Sequence, residues 1–374
     1  MTDVVIAGYK RSPFQFAGKG ALARVRGDEM AAAVVAALVA ESGVDPADIE
    51  DLIMGCAFPE GEQGLNVARL VGFLAKLPES VAGVTVNRFC GSSMQSIHQA
   101  AGAIRMGAGE AFICAGMESM SRVPMMGFNP MPNPGLAKDF PQAYIGMGET
   151  AENVAMRHQI SRADQEAFAV RSHHKAAAAQ AAGKLAGEIV AVAGVEQDGC
   201  IRADSSAEAL AGLKPAFRAD GTVTAGTSSP LTDGASAVLV CSLDYARQHG
   251  LTPLAKIRSI AVAGCAPEIM GMGPVGASRK ALARAGVQAS QLDVVELNEA
   301  FASQALACMR ELGIDEMLVN KDGGAIALGH PLGATGARIV GKAAQVLQRD
   351  GGRYALATQC IGGGQGIATV LEAI

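Results

Sequence analysis

The chain repeats itself. Gly43-Val44-Asp45-Pro46-Ala47-Asp48-Ile49-Glu50-Asp51-Leu52 resembles Gly286-Val287-Gln288-Ala289-Ser290-Gln291-Leu292-Asp293-Val294-Val295. Ala115-Gly116-Met117-Glu118 has a counterpart in Ala357-Thr358-Gln359-Cys360, and Gly234 to Val240 resembles Gly366 to Glu372. Three matches in one order point to two related halves. Within them, short apolar runs alternate with alanine-rich segments. Val4 to Ala7, Ile49 to Met54, Val81 to Val86 and Glu110 to Met117 read as strands, and Asp28 to Ala40 as a helix. That alternation predicts an α/β fold with a mostly parallel sheet. The 374 residues are enough for two or three units at ~100–200 residues each.

The repeat is interrupted once. Pro124 to Pro141 is rich in methionine, proline and asparagine and has no period. Glu149 opens a helix, Ser161-Arg162-Ala163-Asp164 caps another, and residues from Gly187 to Thr227 read as irregular. The expected organisation is 1–119 plus 232–253 as the first half, 120–231 as an insertion over its sheet, and 254–374 as the second half.

Hydrophobic residues make up 49% of the chain and charged residues 18%, which favours a large core over disorder. The net charge of -5, with no long basic run, disfavours nucleic-acid binding. No apolar stretch reaches membrane-spanning length and the N-terminus lacks signal-peptide character. Eight cysteines without C-x-x-C spacing suggest neither a metal site nor a disulfide framework. The expectation is a cytoplasmic protein of a reducing compartment.

One cysteine stands apart. In Val86-Asn87-Arg88-Phe89-Cys90-Gly91-Ser92-Ser93 an extended run stops and a helical pattern begins. A thiol at a helix start meets free N–H groups and the positive end of the dipole, which favour the nucleophilic thiolate. A buried cysteine acting as a small hydrophobe is the alternative. Three stretches of the second half add further chemistry: Asn298-Glu299-Ala300-Phe301, Gly329-His330-Pro331, and Cys360-Ile361-Gly362-Gly363-Gly364. Their glycines let the main chain approach a ligand and present N–H donors.

With these motifs in this order, the sequence resembles the thiolases, acyltransferases that act on acyl-CoA. Thr150-Ala151-Glu152-Asn153-Val154-Ala155 and Thr224-Ala225-Gly226, with Ser229 and Asp233-Gly234-Ala235, belong to the same pattern. The resemblance spans essentially the whole chain. It implies a thiolase-like α/β fold of two similar halves in α-β-α-β-α layers, with an inserted loop domain. It also implies roles. Cys90 would accept the acyl group. His330 would take its proton. Cys360 would exchange a proton with the acetyl-CoA carbon. Asn298 would hold a water that, with His330, stabilises the enolate, and the N–H groups of Cys90 and Gly362 would form the other oxyanion site. Ser229 would contact pantetheine. Met147, Ala300 and Phe301 would line the coenzyme A path, ordinary packing being the equal alternative. Coenzyme A is then a substrate, and neither cofactor nor metal is expected. A homodimer or homotetramer is expected.

The favoured reaction is CoA-dependent cleavage of a 3-ketoacyl-CoA, as in fatty-acid β-oxidation. Biosynthetic acetoacetyl-CoA thiolases usually carry histidine where this chain has Gly146, which makes them the second choice. A β-ketoacyl synthase would pair its cysteine differently, with two histidines or histidine and asparagine. A non-catalytic acyl-CoA-binding protein would lack the reacting groups. Met125, Met126, Phe128 and Met131 would suit either an acyl chain or a subunit contact.

Overall fold

Leucine-, valine- and alanine-rich runs condense into alternating strands and helices in the computed structural model, which describes residues 2–374. The first half holds β1 (Val4–Arg11), β2 (Gln15–Phe16), α1 (Gly27–Ser42), β3 (Ile49–Gly55), α2 (Val67–Leu74), β4 (Ala82–Val86), α3 (Ser92–Arg105) and β5 (Ala111–Ser119). An excursion then carries α4 (Pro134–Asp139), α5 (Met147–Arg157), α6 (Arg162–Ala181) and α7 (Ala207–Ala211) before β6 (Thr232–Ser242) and α8 (Leu243–Gln248). The second half holds β7 (Ala255–Gly264), α9 (Gly273–Ala285), β8 (Val294–Leu297), α10 (Ala302–Leu312), α11 (Ala325–Leu328), α12 (Thr335–Asp350), β9 (Tyr354–Ile361) and β10 (Gln365–Glu372).

The strands run β4-β3-β5-β6-β1-β7-β10-β9-β8. The halves meet where β1 pairs with β7 over only Val5–Lys256 and Ile6–Ala255. On each side of that seam the order is the same. A parallel bridge at Val319 beside Val295 stands in the second half where β4 stands in the first. The three sequence matches fall on equivalent elements. Gly43 and Gly286, both left-handed, end α1 and α9 before β3 and β8, a conformation in which only glycine avoids a Cβ clash.

The sheet is mixed, not mostly parallel. β3–β4, β3–β5 and β8–β9 are parallel, whereas β6 and β10 run antiparallel to both their neighbours. Helical crossovers force parallel neighbours. β9 instead turns straight back into β10 through Gly362–Gly364, and β5 returns as β6 after the excursion. Residues 120–231 thus occupy the place of a hairpin turn.

Side chains alternate between two faces along each buried strand. Ala235, Ala237, Leu239 and Cys241 of β6 join α1 and α2 in one core, while Val238 and Val240 join α3 and α12 in a second. On the far side, Leu356, Ala368 and Val370 meet α9 and α10 in a third. Helices, sheet, helices, sheet, helices therefore stack in five layers, with α3 and α12 in the middle. The excursion lies over the second half as well as the first sheet. Val154, Ile160, Phe168 and Leu210 enter the third core. Its grip on the first half is Arg11 of β1, bidentate to Asp198 at 2.7 Å and bonded to Glu188 at 2.7 Å.

Candidate active site

β4 ends at Val86, and Phe89–Gly91 makes a single helical turn before α3. Phe89 adopts φ +43°, a left-handed value costly for an aromatic residue. The surroundings enforce it. Phe89 N–H donates to Asn87 Oδ1 (2.8 Å), and Ser92 Oγ accepts from Arg88 N–H (2.9 Å) and donates to Phe89 C=O (2.6 Å). Arg88 reaches Gln365 of the second half at 2.9 Å, and Gln359 Nε2 donates to the Cys90 carbonyl. The turn bearing Cys90 is thus held from both halves.

Cys90 is half-buried as a residue, but its sulfur lies in a desolvated site. Burial pushes the thiol up to about 11, although the N–H groups of Gly362 and of Cys90 itself face the sulfur and act the other way. At this helix start desolvation and the N–H donors thus act in opposite directions on the thiol, with desolvation the larger. Those donors still bring Gly362 to Cys90, as expected for a pair aimed at one reacting centre.

His330 is buried between the halves. Its N–H donates to Thr232 Oγ1 at 3.0 Å, and Gly333 N–H donates to Glu118 of β5 at 2.9 Å. The Nδ1 atom lies 2.6 Å from Thr335 Oγ1, whose hydroxyl donates to Pro331 C=O at 3.0 Å. With its one proton so engaged, Thr335 accepts from Nδ1–H. Nε2 is then an acceptor, facing the Asn298 amide nitrogen at 3.3 Å. Burial, and secondarily the Arg338 cation, pushes His330 down to about 3, so the imidazole is neutral. Among the described residues no hydrogen bond joins His330 directly to Cys90; such bonds are often long in an unliganded site and tighten with substrate. Asn298 Oδ1 is buried without a protein partner, as suits an amide that holds a small polar group.

Cys360 ends β9 inside an apolar cluster with Met147, Ala151, Val223, Met270, Ala300 and Phe301. Burial first, then the nearby Cys90 and Cys308 sulfurs, raises its thiol well above the ordinary value. Ser229 N–H donates to Ala300 C=O at 3.0 Å, and Phe217 meets Phe301 edge-on at 5.9 Å. Met147, Ala300 and Phe301 therefore pack with Cys360, and Ser229 is joined to the cluster through Ala300. Met125, Met126, Phe128 and Met131 do not join them; they are exposed, and Phe128 N–H is held by Glu60 at 2.6 Å.

Several groups were not singled out in advance. Glu299 is buried and accepts from Ser172 (2.6 Å), Asn320 (2.7 Å) and Ile326 N–H (3.2 Å), fixing the loop that carries Asn298. Glu118 also accepts from Ala57 N–H at 2.8 Å and Gln63 at 2.8 Å. The Asn-Glu adjacency was a signal for Glu299; nothing local marked Glu118, Gln359 or Thr335.

Two families match the chain: thiolase N-terminal domain over residues 4–244 and thiolase C-terminal domain over 251–373. The chain is 48% identical to a 3-ketoacyl-CoA thiolase of Bacillus subtilis (strain 168), covering 100% of both. It is 49% identical to one of Marinomonas sp. (strain MWYL1), covering 100% of this chain and 98% of the other. The crystal structure of human mitochondrial 3-ketoacyl-CoA thiolase superposes with a TM-score of 0.92 at 37% identity, covering 100% of this chain and 99% of that one. Those matches, spanning both halves and every motif gathered around Cys90, place this chain in the thiolase family.

Proposed function

We propose that the protein cleaves 3-ketoacyl-CoA with coenzyme A, giving acetyl-CoA and an acyl-CoA shortened by two carbons. The observation that carries this reading is Cys90 with the Gly362 N–H and the Cys360 sulfur beside it, on a chain that also holds a buried His330–Asn298 pair. The Cys90 sulfur adds to the ketone carbon as its proton passes to His330. The bond between that carbon and the thioester α-carbon breaks, leaving an acyl group on Cys90 and an enolate. His330 and a water on Asn298 stabilise the enolate oxygen, and Cys360 protonates its carbon. Coenzyme A then adds to the acyl-cysteine, its proton restoring Cys360 while His330 returns the first proton to Cys90. The N–H groups of Cys90 and Gly362 receive the oxyanion of this second step, each such donor being worth roughly 3–4 kcal/mol. Coenzyme A is a substrate and no further cofactor or metal is required. Ser229 serves as the pantetheine contact, with Met147, Ala300 and Phe301 as apolar walls.

Chemistry on two free thiols suits a reducing compartment, which supports the cytoplasm. No helix among the described residues is long and apolar enough to cross a membrane. A homodimer is supported by β4, an edge strand beside the exposed Leu70, Phe73 and Leu74 of α2. The direct test is mass spectrometry after mixing with a 3-ketoacyl-CoA in the absence of free coenzyme A. An acyl group on Cys90 is expected; one on Cys360 with Cys90 unmodified overturns the assignment. Thiolysis of acetoacetyl-, 3-ketohexanoyl- and 3-ketodecanoyl-CoA sets the substrate class. Activity confined to acetoacetyl-CoA would move the chain to the acetoacetyl class.

A further inference from the structure

β8 ends at Leu297, and Asn298 N–H still donates to Thr358 C=O of β9 at 3.0 Å, so Glu296 and Asn298, two residues apart, share one face. α12 places Arg338 three residues after Thr335, so these also share a face. The two faces meet in two rungs. One is Asn298, His330 and Thr335, described above. The other is an ion pair, Arg338 Nη1 to Glu296 Oε2 at 2.8 Å. All five residues are buried. Arg338 Nε and Nη2 and Glu296 Oε1 have no other protein partner. A guanidinium whose charge is only partly spent on its carboxylate thus lies one rung from the imidazole.

Three carboxylates on the segments that hold His330 are engaged elsewhere. Glu118 is tied to the Gly333, Ala57 and Phe58 N–H groups, Asp233 to Ser119 and Ser121, and Glu299 to Ser172, Asn320 and Ile326. Around the ion pair stand Tyr9, Glu188, Asp322 and Lys342. Among the described residues, Arg338 is the charged group that acts on the imidazole, in the same direction as burial.

We infer that Arg338, clamped by Glu296 one helical turn from the Thr335 that holds Nδ1, is a positioning residue for His330, its fixed charge adding to burial against a lasting proton on the imidazole. Nε2 therefore keeps a lone pair that can exchange the Asn298 amide for the Cys90 proton, and the imidazolium formed beside a cation surrenders that proton within the same turnover. This rests on His330 being the base for Cys90, as proposed above.

The test is the pH dependence of kcat/KM for thiolysis. Wild type should show no loss attributable to His330 down to about pH 5. Arg338→Met with Glu296→Gln removes both charges and leaves neither buried alone. This double variant should develop an acid limb about one pH unit higher, so that at pH 4 it loses about half of its own pH 8 rate where wild type loses about a tenth. Arg338→Lys should restore the wild-type profile. A folded double variant with an unmoved limb, or a lysine variant that behaves like the double variant, overturns the inference. Glu296→Gln alone keeps the cation and is the milder change. It should not raise the limb, and an upward shift there also overturns it. His330→Ala is the control: unchanged thiolysis in that variant rejects the site reading itself, whatever Arg338 does.

Discussion

At the scale of single residues, burial decides the chemistry. Cys90 begins as a thiol and His330 as a neutral base, because each charged form would lose its water. A thiol pushed up to about 11 is protonated throughout the neutral range and ionises only as pH rises towards that value. The rate of Cys90 alkylation by iodoacetamide, followed by peptide mass spectrometry, should therefore keep rising beyond pH 9. A plateau below pH 8 would mean that the thiolate is already formed at rest. The two cysteines should also separate. Cys360→Ala should lower thiolysis of a 3-ketoacyl-CoA about 10²–10⁴-fold, the usual worth of a positioned acid or base. Acylation of Cys90 by a simple acyl-CoA needs no carbon acid and asks Cys360 only to protonate the departing coenzyme A thiolate, so it should fall less, and equal loss of both in a folded variant would argue against a role at carbon. Cys90, His330 and Cys360 were legible in the sequence because each sits in a motif of unusual small residues. The strain at Phe89 was not, since its φ +43° is imposed by Asn87, Ser92 and the second half. Nor was the pKa of Cys90, which depends on what covers it.

At the scale of elements, the strand–helix alternation was legible and the strand directions were not. Periodicity reports which face of a strand is buried but not which way its neighbour runs. The glycine turn at 362–364 reads equally as a loop or a hairpin until β9 and β10 are seen to pair from Ile361–Gln365 to Tyr354–Glu372. The same geometry makes two glycines indispensable. A Cβ on Gly116 of β5 would lie 2.1 Å from Gly333 C=O, and one on Gly333 would lie 2.3 Å from Met117 C=O. This close approach seats the His330 loop against the first half. Gly116→Ala should therefore cost about 1–3 kcal/mol in urea unfolding, the range for overpacking a core. It should also lower kcat, because the displaced loop carries His330, the proposed base. Full activity at wild-type stability would show that the loop yields without moving His330.

At the scale of the molecule, the repeat explains where the site lies. Cys90 precedes α3 and His330 precedes α12, the two helices that share the middle layer. Glu118 and Cys360 occupy matching positions at the ends of β5 and β9. One half uses that position for a carboxylate that braces the loop, the other for a thiol that can move a proton. Only the packed pair of halves completes the site, so neither half alone should turn over substrate. The nucleophile is also tied to the outer edge of the first half, because β4 runs from that edge directly into the Cys90 turn. Its outer side is an open sheet edge apart from Gly83 C=O, which accepts from Asn66 Nδ2 at 2.6 Å, and Val84 is 39% exposed there. Beside it α2 exposes Phe73 and Leu74, each at 49%. A two-fold axis at such an edge lets β4 pair antiparallel with its copy and covers both α2 faces in one closed contact. Val84→Lys with Leu74→Glu changes exposed side chains only, so the fold should persist. The wild-type chain should scatter light as a dimer or tetramer of its 38.1 kDa subunit, and the double variant should shift towards monomer at micromolar concentration. Thiolysis should fall with dissociation, because a freed β4 no longer anchors the turn at Phe89. A wild-type monomer would rule out this interface, and a fully active monomeric variant would show that the Cys90 turn needs no support from it.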